Sequence, residues 1–221
     1  EAALEDSMAG SHFYPDFAAV LLKQKVAEQY GLKAENVLTG AGSSAMIDMI
    51  GLTFLDEGDE VLFSAPTYGA FADMAYLNGG VPVSVPVTEE QKFNLPAMKE
   101  KIGEKTKIVV ICNPNNPTGR LIAGGLLEKI LRVCRENNIA LFVDECFLSL
   151  SDGGTDLTPF LREFPQLFVL KAFTKSFGMA GLRLGYGLSA DGALLRKMSA
   201  AVPPWNVSAL AQAAGVAALG D

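Results

Sequence analysis

The sequence predicts an α/β fold, a three-layer sandwich around a mostly parallel central sheet. Three observations carry that prediction. Short runs rich in Val and Ile alternate with segments of helical periodicity from residue 37 onward. Those runs are apolar at consecutive positions and not at every second one, so they belong in strands covered on both faces. No linker-like Pro/Ser/Gly tract, internal repeat or low-complexity segment divides the 221 residues, of which 49% are hydrophobic. That is enough apolar material for one large domain spanning 1–221.

The elements follow in order. "EAALEDSMAG" opens the chain in helical register, and "DFAAVLLKQKVAEQYG" (16–31) is a second helix with Gly31 as its C-cap. Next, "NVLTG" reads as a strand and "SSAMIDMIGLTFL" as a helix. "EVLFSAP" leads to helical "YGAFADMAYLNGG", and "VPVSVPV" to helical "LPAMKEKIG". "KIVVICN" precedes the helix "GGLLEKILRVCRENN". "IALFVDE", "LFVLKAF" and "LRLGYGLS" are the remaining strands, before a final helical pair.

Composition excludes several classes. A net charge of −7 with no basic block argues against nucleic-acid and anionic-membrane surfaces. No apolar run reaches the ~18–20 residues of a membrane span, and no signal peptide is expected. The cysteines, Cys112, Cys134 and Cys146, are scattered and odd in number, which suits a reducing cytoplasm. With His12 the only histidine, a Ser-His-Asp triad or a His-based metal site has no basis, and no metal is expected.

In parallel α/β sheets, ligands sit beyond the carboxyl ends of the strands. Those ends carry Gly42-Ser43-Ser44, then Thr67-Tyr68, "NPNNPTG", Asp144-Glu145 and Thr174-Lys175. The first loop, Gly40 to Ala45, fits the dinucleotide fingerprint G-x-G-x-x-G/A. A dinucleotide also needs an acidic residue at the end of the next strand, where this chain has Ser64-Ala65-Pro66. A triphosphate needs G-x-x-x-x-G-K-[ST], which the sequence lacks. A single phosphate remains. Gly42, Ser43 and Ser44 would offer it N–H donors and the positive end of a helix dipole, and Arg183 a guanidinium.

Lys175 at a strand's carboxyl end, facing such a phosphate, can form a Schiff base with an aldehyde cofactor. Asp144 then pairs with a protonated pyridine nitrogen, Tyr68 stacks on the ring and Asn116 donates to its phenolic oxygen. Together these residues point to pyridoxal phosphate.

"NPNNPTG" (113–119), "VDECF" (143–147) and "TKSFGMAGLRLGYG" (174–187) stand in an order and spacing that resembles fold-type I pyridoxal-phosphate enzymes of the class I/II aminotransferase family. The resemblance is strongest to the histidinol-phosphate aminotransferase and threonine-phosphate decarboxylase branch. It implies that Lys175 carries the cofactor and Asp144 partners the ring nitrogen. It also implies that Asn116 binds the cofactor hydroxyl, that Tyr68 stacks, and that Gly42, Ser43, Ser44, Thr174 and Arg183 cradle the phosphate. Tyr14, in "HFYPD", matches a tyrosine that reaches the neighbouring subunit's cofactor in a homodimer.

Two departures bear on substrate. Phe147 stands where most of the family has tyrosine, and Ser44-Ala45 where an Asp-Glu or Glu-Thr pair is common. Phe147 and "PPWNVSALAQAA" (203–214) are similar to the decarboxylases. The expectation is therefore a small-molecule aminotransferase, of an amino acid or amino-alcohol phosphate. The alternatives are decarboxylation of a phosphorylated amino acid and a non-catalytic cofactor-binding or dimerisation module. Trp205 reads as a core or interface anchor, and Arg132, Arg135, Arg162 and Arg196 as solvated charges. The N-terminal arm and the small domain that supplies the family's carboxylate-binding arginine are expected outside these residues.

Overall fold

The computed structural model describes residues 2–220. After the short helix α1 (Ala2–Met8), helix α2 runs from Val20 to Tyr30. It starts four residues later than periodicity suggests. The Asp16 carboxylate accepts the N–H groups of Ala18 (3.0 Å) and Val20 (2.7 Å), and Ala19 takes a left-handed conformation, so the chain turns before it coils. Gly31 ends α2 as expected, at φ 59°, with the Leu32 N–H returning to the Ala27 carbonyl at 2.9 Å. Arg162 donates to the Gly31 carbonyl at 2.9 Å.

The strands are β1 (Val37–Gly40), β2 (Glu60–Ala65), β3 (Val81–Pro86), β4 (Thr106–Cys112), β5 (Ala140–Asp144), β6 (Leu167–Ala172) and β7 (Gly185–Leu188). They form one sheet in the order β1-β7-β6-β5-β4-β2-β3, parallel except that β7 runs against both its neighbours. The last strand is shorter than its apolar run. Arg183 adopts φ 56°, which delays extended pairing until Gly185.

The connections are α3 (Gly42–Phe54), α4 (Ala70–Leu77), α5 (Leu95–Lys101), α6 (Gly124–Glu136), α7 (Gly192–Ala200) and α8 (Ala209–Ala218). Two apolar layers result. Leu22 and Val26 of α2, Met98 of α5, Leu127 and Ile130 of α6 and Ala211 of α8 bury one sheet face. Met46 and Ile50 of α3, Phe71 and Met74 of α4 and Met198 of α7 bury the other. The two-residue period of a strand sorts neighbours between these layers. In β5, Leu141 and Val143 face the first and Phe142 the second. Asp144 therefore faces the α3/α4 layer, where it borders a small cavity with Ile47, Ile50 and Phe142.

Candidate active site

Sheet order lays the expected residues out in space. β1 ends before Gly42, and its neighbour β7 starts just after Arg183, because antiparallel pairing puts Gly185 opposite Gly40. Next comes β6, leading to Thr174 and Lys175, then β5 with Asp144, β4 with the Asn113–Gly119 loop and β2 with Tyr68. All lie at one edge. At ~4.8 Å per strand, Asp144 stands about 10 Å from the β7 position.

The phosphate end is built by backbone geometry. Helix α3 has no side-chain cap, and Gly42 opens it at φ 86°. A Cβ on Gly42 would meet an Arg183 guanidinium nitrogen at 2.7 Å, and one on Gly185 would meet the Ser43 nitrogen at 2.8 Å. Both glycines are required for this approach. Arg183 is steadied by the Ala180 carbonyl at 3.0 Å. A guanidinium thus lies across a bare helix N-terminus, which is an anion cradle.

Asp144 is buried, and its Oδ1 accepts the Cys146 N–H at 2.9 Å. Burial pushes its carboxyl above the ordinary range, while Cys146 and the charge of Lys175 pull the other way. A carboxylate in this position is poised to gain from a cation placed beside it. Lys175 is exposed at the edge, with its Nζ 5.0 Å from the centre of the Phe147 ring. Cys112 pairs in register with Asp144, and burial followed by the Asp144 charge raises its thiol to about 12. Burial likewise raises Cys146, whose thiol adjoins Ser43. Both remain thiols and serve as packing.

The Asn-Pro loop divides its labour. Asn113 is fully buried, and its Oδ1 accepts the Ile122 N–H at 2.8 Å. Asn115 donates to the Pro66 carbonyl at 3.0 Å and to the Thr118 hydroxyl at 2.9 Å, and accepts from Thr67 at 2.7 Å. These two asparagines fold the loop and tie it to the turn before Tyr68. Asn116 is half-buried at the loop's crest. Tyr68 keeps 37% of its surface exposed and meets Phe71 edge-on at 5.8 Å. Thr174 is buried beside Lys175.

Tyr14 stands apart. It is 78% exposed, and its ring stacks on Trp205 at 4.4 Å. Trp205 is correspondingly no core residue. It is 45% exposed at φ 55°, held on the surface between Tyr14 and the edge of Phe17. Of the two expected roles, core or interface anchor, its exposure excludes the first: the backbone is left-handed and the ring stays on the surface. Arg132, Arg135, Arg162 and Arg196 are exposed as expected.

Sequence reasoning passed over one buried cluster. Glu145 follows Asp144 but faces the opposite layer, with its Oε2 2.8 Å from the Lys171 Nζ. Its Oε1 accepts the Leu157 N–H at 2.9 Å. The period-two alternation of β5 and β6 could have revealed it, because it puts Glu145 and Lys171 on the same face.

Comparison with known proteins bears on the family and the fold. The profile of the family described as aminotransferase class I and II matches residues 1–221. The chain belongs to that family. Histidinol-phosphate aminotransferase 2 of Carboxydothermus hydrogenoformans is 35% identical over 223 residues, covering 100% of this chain and 61% of its own length. The aromatic amino acid aminotransferase of Rhodococcus opacus is 34% identical over 217 residues, covering 98% and 60%. The crystal structure of the histidinol-phosphate aminotransferase from Clostridium acetobutylicum superposes with a TM-score of 0.89 at 26% identity, over 98% of this chain and 64% of that one. The class I/II chain therefore spans about three-fifths of the length of the curated relatives it matches. Among the described residues, no helix is long and apolar enough to cross a membrane.

Proposed function

We propose that this chain is the cofactor-binding large domain of a cytoplasmic pyridoxal-phosphate-dependent aminotransferase. Its substrate is an amino acid or amino-alcohol phosphate, as for histidinol-phosphate aminotransferase. The observation that carries the reading is the Arg183 guanidinium folded over the uncapped start of α3, at the same sheet edge as Asp144 and Lys175. The donor set fits the cofactor: an anion cradle at one end, a buried carboxylate at the other, and a primary amine between them. Pyridoxal phosphate supplies an aldehyde that condenses with amines and a ring that withdraws electrons from the substrate's α-carbon.

The chain's residues then have distinct tasks. Gly42, Ser43, Ser44, Thr174 and Arg183 hold the phosphate. Asp144 holds a positive charge at the ring nitrogen, which overcomes the burial that otherwise favours its neutral form. Tyr68 covers the ring face, and the Asn116 amide donates to the phenolic oxygen. Lys175 would hold the cofactor through Nζ, and its amine would move a proton at the substrate's α-carbon as base and then acid. Phe147 brings no hydroxyl to this site. Its ring lies beneath the Lys175 ammonium and contributes only its face.

Phe13, Tyr14, Phe17, Val20 and Leu21 are exposed apolar side chains on one short stretch. Such a patch supports the homodimer, with Tyr14 reaching the partner's phosphate. Phe147 favours one second reading, decarboxylation of a phosphorylated amino acid. Product analysis separates the two: keto acid or keto phosphate with aminated cofactor, against amine and carbon dioxide. The assignment itself is tested by incubation with pyridoxal phosphate, borohydride reduction and peptide mass spectrometry. A single adduct on Lys175 is expected; labelling scattered over surface lysines of the full-length protein would overturn it.

A further inference from the structure

We propose that Glu145 and Lys171 are positioning residues, whose buried ion pair locks the segment 146–156 against the sheet and so fixes the floor beneath Lys175. Glu145 is the hinge of this strap. Its own N–H bonds the Leu170 carbonyl at 2.8 Å, anchoring it to β6. Its carboxylate reaches across to the Leu157 N–H, the first residue after the strap, and ties both ends together. Lys171 Nζ lies 2.8 Å from Glu145 and 3.4 Å from Asp156 at the strap's far end. One ammonium therefore holds a carboxylate at each end. The Tyr30 ring, 5.4 Å from Nζ, closes the cluster, and its hydroxyl bonds that of Tyr186 at 2.8 Å.

Packing of the strap on this side is incomplete. A cavity of about 360 Å³ adjoins it, lined by Glu145, Cys146, Leu148, Lys171 and Tyr186 among others. What the strap carries is chemical. Cys146 N–H orients Asp144, and the Phe147 ring lies under the Lys175 ammonium. The cluster touches neither the candidate cradle nor the reacting atoms, so it acts through those two residues.

The experiment compares Glu145→Gln, Glu145→Ala and Lys171→Met in the full-length protein loaded with pyridoxal phosphate. Hydrogen exchange in amides of 146–157 should rise about tenfold or more beyond any rise in Thr106–Cys112. The pH midpoint of the cofactor's absorbance should move, and kcat should fall with little change in KM. Glu145→Gln, which keeps an acceptor for Leu157, should be milder than Lys171→Met. If Glu145→Ala fails to fold, the other two variants decide. Unchanged exchange in the strap of folded variants, or an equal rise in Thr106–Cys112, would overturn the proposal. Only the absorbance and kinetic readouts rest on the cofactor assignment. A parent protein that shows no cofactor band would sink that assignment, and strap exchange would still judge this one.

Discussion

Asp144 and Glu145 are adjacent in the chain, and each stands near a lysine, yet the two acid–lysine couples are built for opposite ends. Glu145 and Lys171 form an ion pair 2.8 Å apart, the carboxylate fully buried and the ammonium largely so. Lys171 is drawn down by burial but held protonated by Glu145, Tyr30 and Asp156, which outweigh it. Asp144 and Lys175 form no ion pair among the described residues. The acid is buried, and the amine stands exposed over an aromatic ring. A couple turned toward each other has little charge left to offer a ligand. One whose members are held apart by the fold can each engage a different part of the same molecule.

The lysines should separate most sharply. Lys175→Ala is expected to lower turnover of the full-length enzyme by roughly 10³-fold or more while shifting stability by no more than about 0.5 kcal/mol, because the side chain is exposed. Lys171→Met should do the reverse at the level of folding, costing about 1–3 kcal/mol through the buried carboxyl it leaves without its partner. Kinetics and denaturant melts on both variants check this, and equal stability losses would erase the distinction.

The acids come next. Asp144→Asn should weaken cofactor binding by about 1.5–3 kcal/mol, the worth of a charged hydrogen bond, while leaving cofactor-free stability unchanged or higher. Glu145 adds a pH signature. Burial raises its carboxyl from 4.5 to about 7 in the folded chain, against the pull of Lys171. The folded state therefore binds a proton that the unfolded state releases, and stability is lost as pH rises from 4.5 through about 7. That window is worth up to about 3 kcal/mol. The cofactor-free parent should lose stability across it relative to Glu145→Gln, and parallel melting profiles would contradict the assignment. The smallest effect is Phe147→Tyr. A hydroxyl added over Lys175 should change cofactor affinity by about 0.5–1.5 kcal/mol, measured by titration, with no loss of fold.

Much of the fold was legible because it rests on local pattern. The apolar runs of β4, β5 and β6 and the stop at Gly31 follow from periodicity and capping chemistry alone. Where reading failed, a longer-range or side-chain term intervened. The Asp16 carboxylate took the N–H groups that would have begun α2 earlier. The left-handed Arg183 shortened β7, and Trp205 turned outward onto Tyr14. At the site, the motifs put Lys175, Asp144, Asn116 and the glycine-serine loop at strand ends, and the sheet order lays those ends along one edge. They did not show that Asn113 and Asn115 fold the loop on which Asn116 sits.

The sequence by itself determined the alternation of strand and helix, the family and which candidate side chains stand at the strand ends, since these depend on residue type and near-neighbour spacing. Tertiary structure decided which of two neighbouring acids faces which layer, and that Arg183 crosses a helix start 141 positions earlier in the chain, at Gly42. Both outcomes depend on sheet order and register. Those are set by the packing of whole layers, a sum over contacts that no single stretch of the chain contains.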